Sequence, residues 1–266
     1  MWLLLLSWTR LATGARESPL TRALYEAQPL RPAEEELSLE LPVTDAAREA
    51  IDETLASRAF HGTTTVAFCF DGGVACAVDS RASMGSYVGS SKTEKVIPFS
   101  RHVLGTMAGS AADCSHFIRL VSARAKLHEL EEGERLTTAA AARVLATALR
   151  RQPRGLGLSV GTMIMGIDDG EPGLVYVDSE GSRVDGTLFA VGSGSTFAYS
   201  VLDAEYRPNM DKDAALALVE KAVLTAANRD AYSGGIVNVY FVDKHTGLWS
   251  RVKRLDSDDI LSRSDR

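Results

Sequence analysis

The sequence is poor in cysteine and has no excess of basic charge, and both shortages exclude classes of protein. Three cysteines in 266 residues, an odd number, do not make the disulfide framework of a secreted domain. Cys69 and Cys76 could pair across a hairpin, but we expect buried free thiols in a reducing compartment. The formal net charge of −6, without a basic cluster, gives no reason to expect nucleic acid as a partner.

Metal and membrane signals are also missing. No Cys-x-x-Cys pair or histidine cluster suggests zinc, and we expect neither a metal nor a cofactor. The apolar run Trp2–Leu6 is far too short to span a bilayer, and it lacks the basic region of a secretory signal. Arg10, Arg16 and Arg22 hint at a transit peptide, whereas the competing interpretation makes this stretch part of a propeptide. We expect a cytoplasmic and nuclear location.

Residues 1–62 differ in composition from the rest of the chain. They contain four prolines and the acidic run Glu34–Glu36, but no long periodic segment, which is typical of a loosely ordered leader. A short helix over Ala46–Leu55 is the one element expected there. The hydrophobic content of 45% is enough for a sizeable core, and we expect residues 63–266 to form one domain.

The order of the predicted elements indicates an α+β fold. Strands, two helices, strands, two helices and strands follow one another, and this grouping argues against a parallel doubly wound sheet. We predict a four-layer αββα sandwich of two antiparallel sheets between helical layers. The hydrophobic spacing predicts helices over 112–132, 138–150, 195–206 and 211–229, and strands over 66–70, 74–78, 87–88, 95–97, 102–107, 162–167, 174–177, 188–191, 236–242 and 248–252.

Two glycine-rich motifs compete as sites, and both lack the necessary context. Gly157–Gly161 matches the G-x-S-x-G nucleophile elbow, which needs a strand before it and a helix after it. Here a proline–glycine loop precedes the motif and a strand pattern follows. Gly192–Gly194 lacks the Lys-Ser/Thr of a phosphate-binding P-loop. We interpret the first as the entry to a strand and the second as a tight turn into a helix.

The start of the first predicted hairpin carries the strongest candidate for catalysis. Threonine is common in strands, so Thr63–Thr65 could simply begin one. A cut between Gly62 and Thr63, however, would give the Thr63 hydroxyl its own α-amine as a base. That amine has an ordinary pKa of about 7.7–8.0, and a nearby cation such as Lys95 would favour its neutral form.

Three further polar residues lie where they could support such a site. Asp79 follows the second strand of the hairpin, where sites are often built, and could hold Lys95 by charge pairing. An ordinary salt bridge is equally compatible with this spacing. Asp230 and Ser233 could orient a distant hydroxyl or amine, or could belong to a helix end closed by glycines.

Taken together, these motifs resemble the proteasome β-subunit family of N-terminal-nucleophile hydrolases, and more narrowly its catalytic, chymotrypsin-like class. The match runs from Gly62 to about Val252 through the segments HGTTTVAF, AVDSRAS, GTMAGSAADC, GLSVGTMIMG, GLVYVDSEG, FAVGSGS and RDAYSGGIVNVY. The resemblance implies that residues 1–62 are a propeptide removed autocatalytically, and that residues 63–266 are the catalytic domain. It also implies a stacked-ring hetero-oligomer with other α and β subunits and unfolded polypeptides as substrates.

The resemblance implies a role for individual residues as well. Thr63 would be the nucleophile, with its amine as base, and Asp79 and Lys95 would be the acid and the base-tuning lysine of the family's site. Further positions match the family's supporting residues (Arg81, Ser193, Asp230, Ser233), its oxyanion-hole amide (Gly109), and its substrate-binding residues (Ala82, Ser83, Thr93, Met107, Gly109, Ala111).

The expected pocket predicts cleavage after large hydrophobic residues. Met107 would form a flexible apolar wall, no acid is placed to meet a basic side chain, and no basic residue beyond Lys95 is placed to meet an acidic one. Ser83, Thr93 and Met84 depart from the family's usual threonine, aliphatic and small residues. The alternatives are a non-catalytic ring subunit that retains its leader and a lone hydrolase of small amides. The presence of Thr63, Asp79 and Lys95 together favours catalysis.

Overall fold

The computed structural model describes residues 62–84, 87–152 and 157–257, which form thirteen strands and four helices. The helices are α1 (Ala111–Glu132), α2 (Thr138–Arg150), α3 (Ser195–Glu205) and α4 (Lys212–Arg229). The strands are β1 (Thr65–Phe70), β2 (Gly73–Val78), β3 (Ala82–Met84), β4 (Tyr87–Ser90), β5 (Val96–Pro98), β6 (Leu104–Thr106), β7 (Ala108–Gly109), β8 (Val160–Asp168), β9 (Glu171–Val177), β10 (Arg183–Asp185), β11 (Leu188–Val191), β12 (Ile236–Asp243) and β13 (Trp249–Asp256).

One antiparallel sheet contains the hairpin that begins just after Thr63. Its strand order is β11-β1-β2-β12-β13, and every residue of β1 and β2 is buried. A two-residue turn, Asp71–Gly72, joins the two strands. Gly73 follows at φ +139°, and a methyl group there would lie 2.0 Å from the carbonyl oxygen of Val242 on β12. The neighbouring strand therefore approaches too closely for any larger residue.

The second antiparallel sheet carries the segments that face this hairpin. Its strand order is β10-β9-β8-β6-β5, and the short strand β7 pairs separately with β8. The pairing of β7 places Ala108 opposite Gly161 and Gly109 opposite Val160. β3 and β4 form a small two-stranded sheet of their own. Lys95 directly precedes β5, Met107 lies between β6 and β7, and Gly109 belongs to β7, so strand pairing holds the segment that bears each of them.

Helix boundaries follow the capping residues in the sequence. The hydroxyls of Ser110 and Thr137 accept hydrogen bonds from backbone N–H groups of the first turns of α1 and α2, and Asp211 does the same for α4. Gly133 ends α1 in a left-handed conformation at φ +73°. The four predicted helices are confirmed, with ends that differ by at most one residue.

Three buried clusters lie between four layers. In the first, Ile118 and Leu145 of the α1–α2 layer pack on Ile164 of the six-stranded sheet. In the second, Met163 and Tyr240 meet between the two sheets. The third contains Phe68, Leu202 and Val219, which pack the five-stranded sheet on α3 and α4. The predicted αββα sandwich is therefore confirmed.

Some local expectations differ from the structure. Strands β3, β7 and β10 are not among the predicted strands, and the strand predicted over 102–107 is shorter, at Leu104–Thr106. The expected free, buried thiols are confirmed for all three cysteines, and Cys69 and Cys76 are not paired. The helix expected over Ala46–Leu55 lies outside the described residues. Within the described ranges, every helix is too short or too polar to cross a bilayer.

Candidate active site

Thr63 lies immediately before β1, with the chain continuous from Gly62. Its Oγ1 donates a hydrogen bond to the carbonyl oxygen of Gly62 at 2.7 Å, and its backbone N–H donates to Ser193 Oγ at 3.2 Å. The residue is buried, and the pairing of β1 with β2 and β11 fixes the strand that follows it. The hydroxyl of Thr63, and the nitrogen that a cut after Gly62 would free as an amine, are thus already held in place.

Asp79 and Lys95 form a buried ion pair beside Thr63. Lys95 Nζ lies 2.7 Å from Asp79 Oδ1 and donates a second hydrogen bond to the Gly62 carbonyl oxygen at 3.1 Å. Asp79 Oδ1 also accepts from Thr64 N at 2.9 Å, while Asp79 Oδ2 accepts from Gly234 N at 3.0 Å. The carboxylate is therefore fixed by backbone groups on two sides, and it points the ammonium at the Gly62–Thr63 peptide.

Burial shifts the pKa values of both members of this pair. It lowers the pKa of the Lys95 ammonium, and the Asp79 carboxylate opposes that shift. Burial likewise raises the pKa of the Asp79 carboxyl, against the charge and hydrogen bond of Lys95 and the backbone amides of Thr64 and Gly234. Lys95 is consequently a weaker base than an exposed lysine, and its positive charge depends on Asp79.

A second polar chain approaches Thr63 from the opposite side. Ser193 Oγ and Ser233 Oγ both donate to Asp230 Oδ2, each at 2.6 Å. Because each hydroxyl has a single hydrogen, Ser193 Oγ is left to accept from Thr63 N, and Ser233 Oγ to accept from Thr64 Oγ1 at 2.7 Å. The direction of these bonds is therefore defined, and the chain ends on the nitrogen of Thr63.

Arg81 braces the segment that carries Gly234. Its Nη1 donates to the carbonyl oxygen of Ala231 at 3.3 Å, and its backbone N–H lies 3.3 Å from Asp79 Oδ2. A methyl group at Gly234, which has φ +146°, would lie 2.7 Å from the guanidinium carbon. Within the described part of the chain, the buried Nε of Arg81 has no hydrogen-bond partner.

A recess opens beside Thr63 and contains the residues expected to line the substrate pocket. Gly109 lies there at φ +112°, and a methyl group on it would lie 2.4 Å from the carbonyl oxygen of Ser159. Arg81, predicted as a supporting residue, also lines the recess. The lining residues are Gly62, Thr63, Arg81, Ala82, Thr93, Lys95, Met107, Gly109 and Ala111.

The predicted substrate-binding residue Ser83 lies beside Gly62, which it contacts through its side chain. It is buried, and its Oγ accepts a hydrogen bond from Gly62 N at 3.0 Å. The structure therefore brings the predicted site residues together around the Gly62–Thr63 bond. Their individual roles stay predictions.

Sequence reasoning missed two residues that shape the site. Gly192, at φ +104°, lets the chain turn so closely that a methyl group there would lie 2.1 Å from the Thr63 carbonyl oxygen. Gly234 contributes its backbone amide to Asp79. Both glycines adjoin predicted site residues, Ser193 and Ser233, which is the signal that could have found them. Ser159 of the G-x-S-x-G motif leads directly into β8, which agrees with the strand-entry interpretation.

Comparison with known proteins agrees with this arrangement. Residues 59–242 match the family model described as "Proteasome subunit". The chain is 53% identical over 196 residues to proteasome subunit beta type-5 of Gallus gallus, which covers 74% of this chain and 75% of the relative. It is 47% identical over 201 residues to proteasome subunit beta type-8 of Homo sapiens, and the match covers 76% of this chain and 72% of the relative.

A more distant organism gives the same result. Proteasome subunit beta type-5 of Dictyostelium discoideum is 45% identical over 220 residues, which cover 82% of this chain and 79% of the relative. The chain therefore belongs to the proteasome subunit family, with an N-terminal-nucleophile hydrolase fold. Within that family it is similar to β subunits of types 5 and 8.

Proposed function

We propose that this protein is the threonine endopeptidase β subunit of a proteasome core particle, of the type-5 class. The observation that carries the proposal is the environment of Thr63, where an ion pair lies on one side and a serine–aspartate–serine chain on the other. The type-5 names of relatives from Gallus gallus and Dictyostelium discoideum support the same assignment. A non-catalytic subunit is not favoured, because such a subunit would have no use for this complete set.

The leader is removed by the residue that it precedes. Thr63 Oγ1 attacks the carbonyl carbon of Gly62, whose oxygen lies 2.7 Å from Oγ1 and 3.1 Å from Lys95 Nζ. The ammonium stabilises negative charge on that oxygen. The C–N bond then breaks, the Oγ1 proton passes to the Thr63 nitrogen, and the ester that remains is hydrolysed by water. Residues 1–62 leave, and the nitrogen of Thr63 becomes a free α-amine.

The free amine then serves as the base for peptide hydrolysis. It takes the Oγ1 proton while Oγ1 attacks the substrate carbonyl, and it gives a proton to the leaving amine. The cation at Lys95 favours the neutral amine, and Ser193 keeps the amine in place by the hydrogen bond that it already accepts. The amide of Gly109 supplies the oxyanion donor, and water releases the acyl group.

The lining of the recess supports cleavage after large hydrophobic residues. Ala82, Met107 and Ala111 are apolar, and Met107 has a flexible side chain that can adapt to a bulky partner. The lining contains no acidic residue within the described chain, so an arginine or lysine side chain finds no countercharge there. The guanidinium of Arg81 is held by Ala231, which directs it towards the protein rather than the substrate.

Assembly and location complete the proposal. The chain assembles with other α and β subunits in the stacked rings of the core particle, where unfolded polypeptides are its substrates. A cytoplasmic and nuclear location, supported by three free cysteines, can be checked by cell fractionation. A particle found enclosed in a secretory compartment would contradict it.

Substitution of Thr63 in the assembled particle tests the function. Thr63→Ala should abolish both leader removal and hydrolysis of fluorogenic peptides with tyrosine or leucine at the cleavage position, whereas Thr63→Ser should retain a fraction of both. Thr65→Val is the matched control. It removes a nearby threonine hydroxyl, which donates to the carbonyl oxygen of Val191 rather than facing the Gly62–Thr63 bond. Peptides with arginine or aspartate at that position should be cleaved at least tenfold more slowly. Full activity of Thr63→Ala would overturn the proposal.

A further inference from the structure

The position of Gly109 depends on the segment that precedes β8. Ser110 N, the next amide along the chain, donates to the carbonyl oxygen of Ser159 at 2.8 Å. A methyl group on Gly109 would lie 2.4 Å from this oxygen, so no larger residue fits there. Gly109 also pairs with Val160 in the strand ladder. The direction of the Gly109 N–H is therefore set by where the Ser159–Val160 segment lies.

Two side chains hold this segment on the side away from β7, where β9 does not yet pair with it. β9 pairs with β8 only from Thr162 onwards. Before that point, Ser179 Oγ accepts from Val160 N at 2.9 Å and donates to the Val160 carbonyl oxygen at 3.1 Å. Asp113 Oδ2 accepts from Ser159 N at 3.2 Å. Asp113 is the charged acceptor of the two, and a carboxylate acceptor makes a stronger hydrogen bond than a neutral one of the same geometry.

Asp113 itself is fixed by the start of α1. Its backbone N–H donates to Ser110 Oγ at 3.3 Å, and Cys114 N donates to the Ser110 carbonyl oxygen at 2.9 Å. The backbone N–H of Ser110 in turn donates to the Ser159 carbonyl oxygen. Asp113, Ser110 and Ser159 are therefore joined in a ring of hydrogen bonds next to Gly109. A change at Asp113 is therefore transmitted to Gly109 through one intervening residue.

We propose that Asp113 is a positioning residue for the reaction at Thr63, and that its carboxylate holds Ser159 so that the Gly109 N–H points at the developing oxyanion. The inference rests on the proposed function, since it takes Gly109 as the oxyanion donor. Loss of a whole oxyanion donor lowers kcat by about 10²–10³. A donor that is still present but less well oriented should cause only part of that loss in kcat. Asp113→Ala should therefore lower kcat by about tenfold.

The proposal predicts which kinetic quantities change. An interaction made mainly in the transition state affects kcat more than KM. Particles that carry Asp113→Ala should therefore show KM within about twofold of the wild type for a hydrophobic fluorogenic peptide. Their affinity for a peptide boronate, which forms a tetrahedral adduct on Thr63 Oγ1, should fall about as much as kcat. Asp113→Asn keeps an acceptor oxygen and should restore both quantities.

Asp168 offers a matched control for a purely structural effect. It is another aspartate that accepts backbone hydrogen bonds at the start of a helix, from Thr138 N at 2.9 Å and Ala139 N at 3.3 Å. Asp168→Ala should lower the thermal unfolding midpoint of the particle about as much as Asp113→Ala does, yet leave kcat and boronate affinity unchanged. If Asp113→Ala does not assemble, Asp113→Ser keeps a polar residue in the first turn and should show the same kinetic loss.

The inference is overturned if Asp113→Ala has wild-type kcat, if kcat falls without a fall in boronate affinity, or if Asp113→Asn is as impaired as Asp113→Ala. These results are distinct from a failure of the proposed function. Hydrolysis that depends on Thr63 but is insensitive to Asp113 would remove the inference alone. Hydrolysis that persists in Thr63→Ala would remove the proposed function first.

Discussion

Lys95 Nζ and Asp79 Oδ1 lie 2.7 Å apart, and the two side chains are 4% and 0% exposed. Breaking a buried pair of this kind by removing one partner costs about 3–5 kcal/mol, because the other charge stays buried without compensation. The pair links two parts of the site: Asp79 is fixed by backbone amides, and Lys95 contacts the Gly62 carbonyl. The chemistry at Thr63 should therefore be sensitive to a change that leaves Thr63 itself untouched.

Asp79→Asn tests this dependence. The amide keeps the shape of the side chain but removes the charge that raises the Lys95 pKa, so the lysine should lose its proton more readily. We expect peptide hydrolysis to fall by about a hundredfold or more, which corresponds to about 3 kcal/mol of the pair's energy. Steady-state kinetics of the assembled particle measure the effect. Retention of half of the wild-type kcat/KM would show that the charge of Lys95 is not needed.

The pH dependence of kcat/KM should be bell-shaped. Activity rises with pH as the α-amine of Thr63 becomes neutral, and Lys95 should bring this limb below the ordinary amine pKa of about 7.7–8.0. Activity falls again when Lys95 loses its charge. Because burial lowers the Lys95 pKa, this second limb should lie below about pH 10.4, the ordinary lysine value. A profile that keeps rising beyond that pH would contradict a role for the ammonium.

Gly192→Ala should distort the site from the backbone side. A methyl group there would lie 2.1 Å from the Thr63 carbonyl oxygen, at a φ of +104° that favours glycine. We expect hydrolysis to fall by at least about a hundredfold, since a displacement of about 1 Å is enough for this. Gly170→Ala is the control, because Gly170 has φ +81° with nothing within 4 Å of the added methyl group. Equal losses in the two variants would mean that backbone strain alone is responsible.

The buried cysteines predict a loss of stability at alkaline pH. Burial raises the pKa of Cys69 and of Cys114 to about 12, and it raises the pKa of Cys76 as well. Thiols of the unfolded chain ionise at about 8.5, so the stability that each thiol contributes is complete below that pH and is lost as pH rises towards the folded value.

Replacement of one cysteine measures how much of the pH-dependent loss of unfolding free energy is due to its thiol. Between about pH 8.5 and pH 10.5, ionisation of one unfolded thiol should cost about 2 kcal/mol of unfolding free energy. Cys69→Ala should therefore lose about that much less than the wild type over this interval in denaturant titrations. Identical losses in the two proteins would show that Cys69 ionises equally in both states.

Much of the fold could be predicted because its signals are local. The two apolar runs of the hairpin before Asp79, the caps Thr137 and Asp211, and the helix-ending Gly133 each depend on neighbouring residues. The order in which strands and helices are grouped along the chain is then enough to predict a four-layer sandwich. Strands β3, β7 and β10 have two or three residues each, and they exist because a partner backbone lies beside them, which no short window of sequence contains.

The site divides in the same way. Asp79 stands out because a charge follows a buried strand, and Thr63 because it begins one. The glycine contacts could not be predicted, since they join distant parts of the chain: Gly234 reaches Asp79 across 155 residues, and Gly192 touches Thr63 only after the sheet has formed. Close approach between backbones is a property of the packed layers.

The most direct test of the account is the N-terminal residue of this chain in the active particle. Intact mass and N-terminal sequencing of purified, hydrolytically competent particles determine it. We predict a chain that begins at Thr63, with a free α-amine within reach of Ser193. A chain that still contains Gly62 in a fully active particle would contradict the account, because the nitrogen assigned as the base would then be a peptide amide.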